Sequence, residues 1–338
     1  MTFRGEKIIN NDIDFVIPWV NGSDPAWIEK RNKYSSNDNF NNIFANGSNR
    51  YRDYGTLKYL LRSIEKYASW VHKVFILTDN QKPQWFKESS KVVIIDHKDF
   101  IDGKYLPTFN SNAIELNIGK IKKLSEYFVL FNDDFLLNNY VEKEDFFKDG
   151  VPVDAAIFSP IFPESDFDRI RINNVIIINK YFKKRQVQRK KFFKIFSFKY
   201  GTKILNNILM APYSRFSGFY DFHLPIAYTK SEFLEVTKFE KSKIDETISH
   251  KFREDSDLSH WLIRYWRLMS GDFETQKLPF GKLFYLFQTD EWEKEILKGK
   301  LKSLCINDGE NIMDIASYQE RLIRVLDRKF PTKGMNEE

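Results

Sequence analysis

Two adjacent carboxylates, Asp133 and Asp134, close the apolar run Tyr127-Phe-Val-Leu-Phe131, and Phe135-Leu-Leu137 resumes it at once. A short run of β-formers that stops at two acids reads as a buried strand delivering charge to the end of a sheet. Asn132-Asp133-Asp134 is also ordinary turn chemistry, because such side chains hydrogen-bond their own backbone after a strand. The apolar segments on both sides favour burial, and a buried carboxylate needs a cation, a hydrogen-bond donor or a proton. A divalent metal holding a substrate diphosphate would supply the first. Other polar clusters end apolar runs in the same way: Asn21-Gly22-Ser23-Asp24, Thr78-Asp79 and Asp96-His97.

The elements that must position these groups follow from local pattern. Residues 12–20 and 74–79 read as strands, as do 92–97 and the run into Asp133. After the first, Asn21-Gly22 favours a turn, Ser23 or Asp24 suits an N-cap, and Pro25 can open a helix. Backbone N–H groups at such a helix start can hold phosphate. Residues 35–48, rich in Asn and Ser, predict a mobile loop. Leu57, Leu60, Leu61, Ile64 and Tyr67 share one helical face, with Arg62 off the stripe and free for a surface or ligand role. Pro83 to Phe86 predicts a short helix. Ser111, with Ile114 and Glu115, resembles an N-capped start to a helix carrying Ile118, Ile121 and Leu124. Strand and helix alternate, which predicts an α/β, Rossmann-like fold with a mostly parallel sheet and flanking helices. Ligands bind such sheets at the carboxyl ends of the strands, where all the polar clusters fall. Beyond Gly201, helical spacing over 232–239, 257–270 and 318–330 predicts a helical C-terminal part that closes the site. One catalytic domain over 1–338 is expected, with an α/β half (1–150), a basic insert (151–210) and a mostly helical half (211–338).

The 338 residues are 42% hydrophobic, enough for a sizeable core, so a disordered chain is excluded. One cysteine, Cys305, excludes an internal disulfide framework and reads as a buried thiol in a strand. No apolar stretch of signal-peptide or membrane-spanning type is present, so the cytoplasm is the expected compartment. The net charge of +6 is uneven: residues 169–220 hold thirteen Lys and Arg and no acid, leaving −7 for the remainder. Cations mixed with aromatics over 180–203 suit an anionic membrane surface or a polyanionic ligand. The same segment also fits a solvated helix whose phenylalanines face the core. No nucleic-acid motif is present, so nucleic acid is not an expected partner. His72, His97, His250 and His260 lack metal-ligand spacing, so no zinc site is expected.

Four blocks of the chain together make one pattern. The first runs Ile13-Asp-Phe-Val-Ile-Pro-Trp-Val-Asn-Gly-Ser-Asp-Pro25. The second comprises Tyr51-Arg-Asp, Leu60-Leu-Arg-Ser-Ile-Glu, Val74-Phe-Ile-Leu-Thr-Asp, Leu106-Pro-Thr-Phe-Asn-Ser-Asn-Ala-Ile-Glu115 and Phe131-Asn-Asp-Asp134. Shorter third and fourth blocks are Phe222-His-Leu-Pro225 and Cys305-Ile-Asn-Asp308, and the basic segment has no counterpart in the pattern. Together these blocks resemble the Stealth family of sugar-phosphate transferases, and the resemblance implies transfer of a sugar 1-phosphate from a nucleotide sugar, a UDP-hexose or UDP-N-acetylhexosamine, to a hydroxyl of a glycan acceptor. UMP would leave and a phosphodiester would form, in capsular or cell-surface polysaccharide synthesis.

On that reading Asp133, Asp134 and Asp308 hold Mg²⁺ or Mn²⁺, and His223 is the general base, with Asp134 or Asp24 as competing candidates. Arg253 clamps phosphate oxygens, or instead pairs with Glu254 or Asp257. Asn21, Gly22, Ser23, Asp24, Arg62 and Ser111 contact the donor, within an α/β half that binds the nucleotide sugar. Asp308 would equally serve as an N-cap for the last helix. The acceptor would be a glycan, lipid-linked if the protein works peripherally at the inner membrane face. Competing readings are a metal-dependent glycosyltransferase that releases UDP and a non-catalytic polysaccharide-binding protein.

Overall fold

The computed structural model describes residues 12–35, 51–308 and 315–338. The expected loop over 35–48 lies outside these residues, except that Ser35 ends a helix, Pro25–Ser35. The strands are β1 (Ile13–Pro18), β2 (Val74–Thr78), β3 (Val92–Asp96), β4 (Tyr127–Leu130), β5 (Phe135–Leu137) and β6 (Phe147–Lys148). They continue with β7 (Val151–Asp154), β8 (Ile226–Thr229), β9 (Glu274–Thr275), β10 (Gly281–Tyr285) and β11 (Ser303–Asn307). The main sheet has the order β3-β2-β1-β4-β8, parallel except for the antiparallel edge strand β8. The α/β class with a mostly parallel sheet is therefore as the alternation predicts.

Period-two alternation sends the side chains of these strands into two cores. Ile13, Phe15 and Ile17 of β1, with Val74 and Ile76 of β2, enter one core together with the helix Leu57–Tyr67 and the C-terminal helix Ile315–Lys329. Val16, Phe75 and Leu77 enter the other, against the helices Asp166–Tyr181, Lys230–Phe239 and Trp261–Ser270. Both faces are covered, which is why the strands read as continuous apolar runs. Each such side chain contributes about 1.5–3 kcal/mol when fully buried.

Two smaller sheets complete the framework: β10-β11-β5 and β6-β7-β9. Strand β5 runs antiparallel to β11, with Phe135 opposite Cys305 and Leu137 opposite Ser303. The C-terminal part is helical as expected, but it also supplies these strands. The expected helix at Pro83 is a turn, and Phe86 makes an isolated bridge to Glu337 instead. The helix between β3 and β4 is short, Ser111–Leu116, followed by a single tight turn at Ile118–Lys120. Its cap is Asn110, whose side chain accepts from the Asn112 N–H at 3.0 Å, so Ser111 sits one position inside. Among the described residues no helix is long and apolar enough to cross a membrane.

Candidate active site

Asn132, Asp133 and Asp134 occupy the passage where the chain leaves the main sheet and enters the second one. The Phe131 N–H still donates to the Val16 carbonyl at 2.8 Å, whereas Phe135 already pairs with Cys305. The passage is held by the Ile306 N–H donating to the Asp134 carbonyl at 3.1 Å and by the Thr56 hydroxyl donating to the Asp133 carbonyl at 2.8 Å. Antiparallel register then brings the end of β11 alongside. The Asp134 carboxylate accepts from Asn307 Nδ2 at 3.0 Å and from the Cys305 thiol at 3.2 Å. Burial, reinforced by Asp134, pushes that thiol's pKa well up, so it stays an S–H donor.

Register also delivers the imidazole. Strand β8 begins with Ile226 opposite Leu130, so His223, just upstream, lies beside the acids. Its Nε2 is 3.9 Å from the Asp134 carboxylate, and its ring meets Phe135 edge-on at 5.4 Å. His223 has φ +51°, a left-handed conformation that costs a non-glycine residue about 1–2 kcal/mol. Such strain is held at functional sites by the structure around them.

The electrostatics of the acid pair suit a cation. Asp133 is held well above the usual carboxylate range, chiefly by burial, then by Asp134 and Asp53. One Asp134 carboxylate oxygen is buried without a hydrogen-bond partner. A ligand atom from each of Asp134, His223 and Cys305 lies within 4.8 Å of the others. Asp308 lines the same cleft, accepting from the Tyr54 hydroxyl at 2.6 Å and from Arg52 Nη1 at 3.4 Å. An orphaned carboxylate oxygen among several acids fits a hard divalent ion.

A second polar cluster lines the cleft, which encloses about 280 Å³. Arg253 Nη2 donates to the Ser111 hydroxyl at 2.5 Å, so these two candidates meet as a pair. Asp257, offered as an alternative partner for Arg253, is occupied by Asn110, Asn112, His250 and the Glu254 N–H. Burial pushes Glu115 up to about 7 against the opposing pull of Arg253. His260 is pushed down to about 3, first by burial and then by Arg264 and His223. Its Nδ1 lies 2.8 Å from the Tyr228 hydroxyl and its Nε2 3.7 Å from Glu115, so a neutral imidazole faces an acid that titrates near neutrality. Glu115, His260, Tyr54 and Arg52 were not singled out from the sequence as site residues. Glu115 reads there as a helix-capping acid, and His260 as one of several unspaced histidines.

Five of the expected donor contacts lie elsewhere. Asn21 exchanges two hydrogen bonds with Gln81, at 2.9 and 3.0 Å, and its side chain accepts from the Ser23 N–H. Asp24 caps the helix Pro25–Ser35 by accepting from the Ala26 N–H at 2.9 Å, and its pKa is lowered chiefly by Gln81. A capping carboxylate already occupies the N–H groups that phosphate would need, and residues 21–24 do not line the cleft. Gly22 does not take positive φ. It is needed because a Cβ there would stand 2.0 Å from the Tyr51 carbonyl oxygen. Arg62 is buried and bidentate to Glu337 at 2.5 Å, with Nη1 on the Phe330 carbonyl at 2.6 Å. Its guanidinium ties down the C-terminal segment, not a ligand.

Residues 50–153 match the sequence profile of Stealth protein CR2, conserved region 2, and residues 11–38 match Stealth protein CR1, conserved region 1. The chain is 42% identical over 328 residues to the capsular polysaccharide phosphotransferase WcwK of Streptococcus pneumoniae, covering 95% of this chain and 97% of that one. This chain belongs to the Stealth family. It is also 42% identical over 326 residues to the exopolysaccharide phosphotransferase cps2G of Lactiplantibacillus plantarum, covering 96% and 95%. A receptor polysaccharide phosphotransferase, WefC of Streptococcus oralis, is 39% identical over 330 residues, covering 96% and 98%. In this Stealth chain the second conserved region contains Ser111, Glu115, Asp133 and Asp134, whereas His223, Arg253 and Asp308 lie beyond both matched regions.

Proposed function

We propose that the protein transfers a sugar 1-phosphate from a UDP-hexose or UDP-N-acetylhexosamine to a glycan hydroxyl in capsular or cell-surface polysaccharide synthesis. Near full-length similarity to polysaccharide phosphotransferases supports the reaction class. The observation that carries the assignment of roles is the convergence of an acid pair, an imidazole and a guanidinium in one cleft.

Cleaving a diphosphate demands neutralisation of phosphate charge and alignment of the attacking oxygen. Arg253 and Arg52 supply positive charge, Arg253 with its orientation fixed by Ser111. His223 Nε2 accepts the proton of the acceptor hydroxyl while that oxygen forms a bond to the sugar-bearing phosphorus. The phosphorus bond to the bridging oxygen breaks, and the electron pair leaves with UMP. Asp133, Asp134 and Asp308 would hold Mg²⁺ or Mn²⁺, which would supply further positive charge for the diphosphate. Glu115 and His260 present hydrogen-bonding groups to the hydroxyls of the bound sugar. A lipid-linked glycan is the acceptor in this reading.

Phosphorus NMR of the purified protein with Mg²⁺ or Mn²⁺, a panel of UDP-sugars and sugar acceptors tests it. UMP together with a phosphodiester or sugar 1-phosphate is expected. UDP would show instead that the glycosidic bond breaks, and a glycosyltransferase would replace this reading. No cleavage of any UDP-sugar, with binding of polysaccharide retained in an Asp133→Ala and Asp134→Ala variant, would leave only a binding protein.

A further inference from the structure

A water-facing helix normally buries its apolar residues and exposes its polar ones, and the helix Ile204–Met210 does the reverse. Its one buried residue is Asn207, whereas Leu205, Ile208 and Leu209 are 55%, 50% and 72% exposed. Asn207 is a fully bonded anchor. It donates to the carbonyls of Ala156 and Ile195 at 2.7 and 2.6 Å and accepts from the Phe158 N–H at 2.6 Å. The helix is thus held with its apolar side turned outward.

The neighbouring elements extend the same surface. The Ile195 contact pins the short helix Phe192–Ile195 beside it, and Phe193 on that helix is 87% exposed. Phe198, on the turn between the two helices, is 93% exposed. By contrast Phe182 and Phe196 pack inward, so the aromatics of the segment divide between core and solvent. The basic helix Lys184–Lys190 closes the other side: Lys184 Nζ donates to the Met210 carbonyl at 2.5 Å and Gln188 to the Ala211 carbonyl at 3.4 Å. Lys184 spends its charge on the Met210 carbonyl, and Lys194 on the carbonyls of Gly271 and Phe273 and on the Glu274 carboxylate at 3.2 Å, so neither cation is available to a partner. Lys183, Arg185, Arg189 and Lys190 are exposed, and no carboxylate occurs anywhere between residues 169 and 220 to oppose them.

We infer that the helix Ile204–Met210, together with Phe193, Phe198 and the exposed cations of 183–190, is a docking face for an anionic lipid bilayer. Apolar knobs ringed by cations match the interfacial region of such a membrane, where the knobs enter the acyl boundary and the cations meet lipid phosphate. A second protein copy would require its own acidic counterpart to this patch, and the patch has no acid to offer in return. The face holds the protein at the bilayer without crossing it. The inference rests on the proposed function only in giving that position a purpose, access to a lipid-linked acceptor.

Sedimentation of the full chain with sucrose-loaded vesicles tests it without donor or turnover, so its failure and that of the transferase reading are separately visible. Binding is expected to vesicles containing phosphatidylglycerol, to weaken with salt, and to be far lower on phosphatidylcholine alone. Phe193→Ser, Phe198→Ser and Leu209→Ser combined should weaken binding at least about tenfold. All three positions are exposed, so the variant should keep the parent's melting temperature and its turnover of soluble substrates. Equal binding to both vesicle types, or unchanged binding by the variant, would overturn the inference. So would a parent dimer that the variant converts to monomer, because a second copy would then own the face.

Discussion

Asp133 pits the stability of the resting protein against what its site must do. Its folded pKa lies well above the unfolded value of a free aspartate, so the folded state holds a proton that the unfolded state releases. Stability attributable to this residue is therefore greatest below about pH 4 and falls as pH rises toward the folded pKa, by about 1.4 kcal/mol per pH unit within that window. With a chelator present, Asp133→Asn should be more stable than the parent in urea, by a margin that grows as pH rises above about 4. Its turnover should drop about a hundredfold or more. A variant less stable than the parent at pH 8 would contradict the burial argument. Glu115 follows the same sign over a narrower window, because its pKa rises only to about 7. The stability gained by Glu115→Gln should grow between about pH 4.5 and 7 and then level off. Urea midpoints of parent and variant compared from about pH 4 to pH 9 would show the gap widen and then flatten above about pH 7.

At the scale of elements, the helix Leu57–Tyr67 and the C-terminal segment form one unit through Arg62. Breaking a buried bidentate pair leaves the Glu337 carboxylate without its cation, although the Gly334 N–H still donates to it at 2.9 Å, and costs about 3–5 kcal/mol. Arg62→Ala should lower urea stability by roughly that amount while leaving KM for the donor close to the parent's, since Arg62 does not line the cleft. A large rise in KM at unchanged stability would restore the donor-binding role expected for it. The turn at residues 21–24 works through closeness. Because a Cβ on Gly22 would collide with backbone at Tyr51, Gly22→Ala should cost about 1–3 kcal/mol. It should also raise KM, because Tyr51 lines the cleft. Thermal melts and steady-state kinetics on the same preparation would separate the two effects.

At the scale of the molecule, the cleft is assembled from segments far apart in sequence: Arg52, Asp133, His223, Arg253 and Asp308 all face it. A ligand that contacts several of them binds the folded chain and not its parts. Mn²⁺ with a UDP-sugar, each at about a hundred times its dissociation constant, should stabilise the fold by about 2.7 kcal/mol per site and shift a single calorimetric transition. Two transitions, with only one moving, would show that the halves of the chain fold independently and that the cleft is not shared in this way.

Strands β1 to β4 were legible because β-propensity and unbroken apolar runs are properties of neighbouring residues. The acids at the end of β4 stood out for the same reason, as charge set between two buried runs. The strand around Cys305 was legible as well, but its partner was not. Only the tertiary structure decided that β11 lies antiparallel to β5, placing Cys305 and Asn307 on Asp134 across about 170 residues of chain. The same holds for Glu115 with His260, for Arg62 with Glu337 and for Asn21 with Gln81. Local sequence fixes which groups are polar and where a strand ends. Which polar group meets which is set by strand register and by the packing of both cores, and these depend on the whole chain at once.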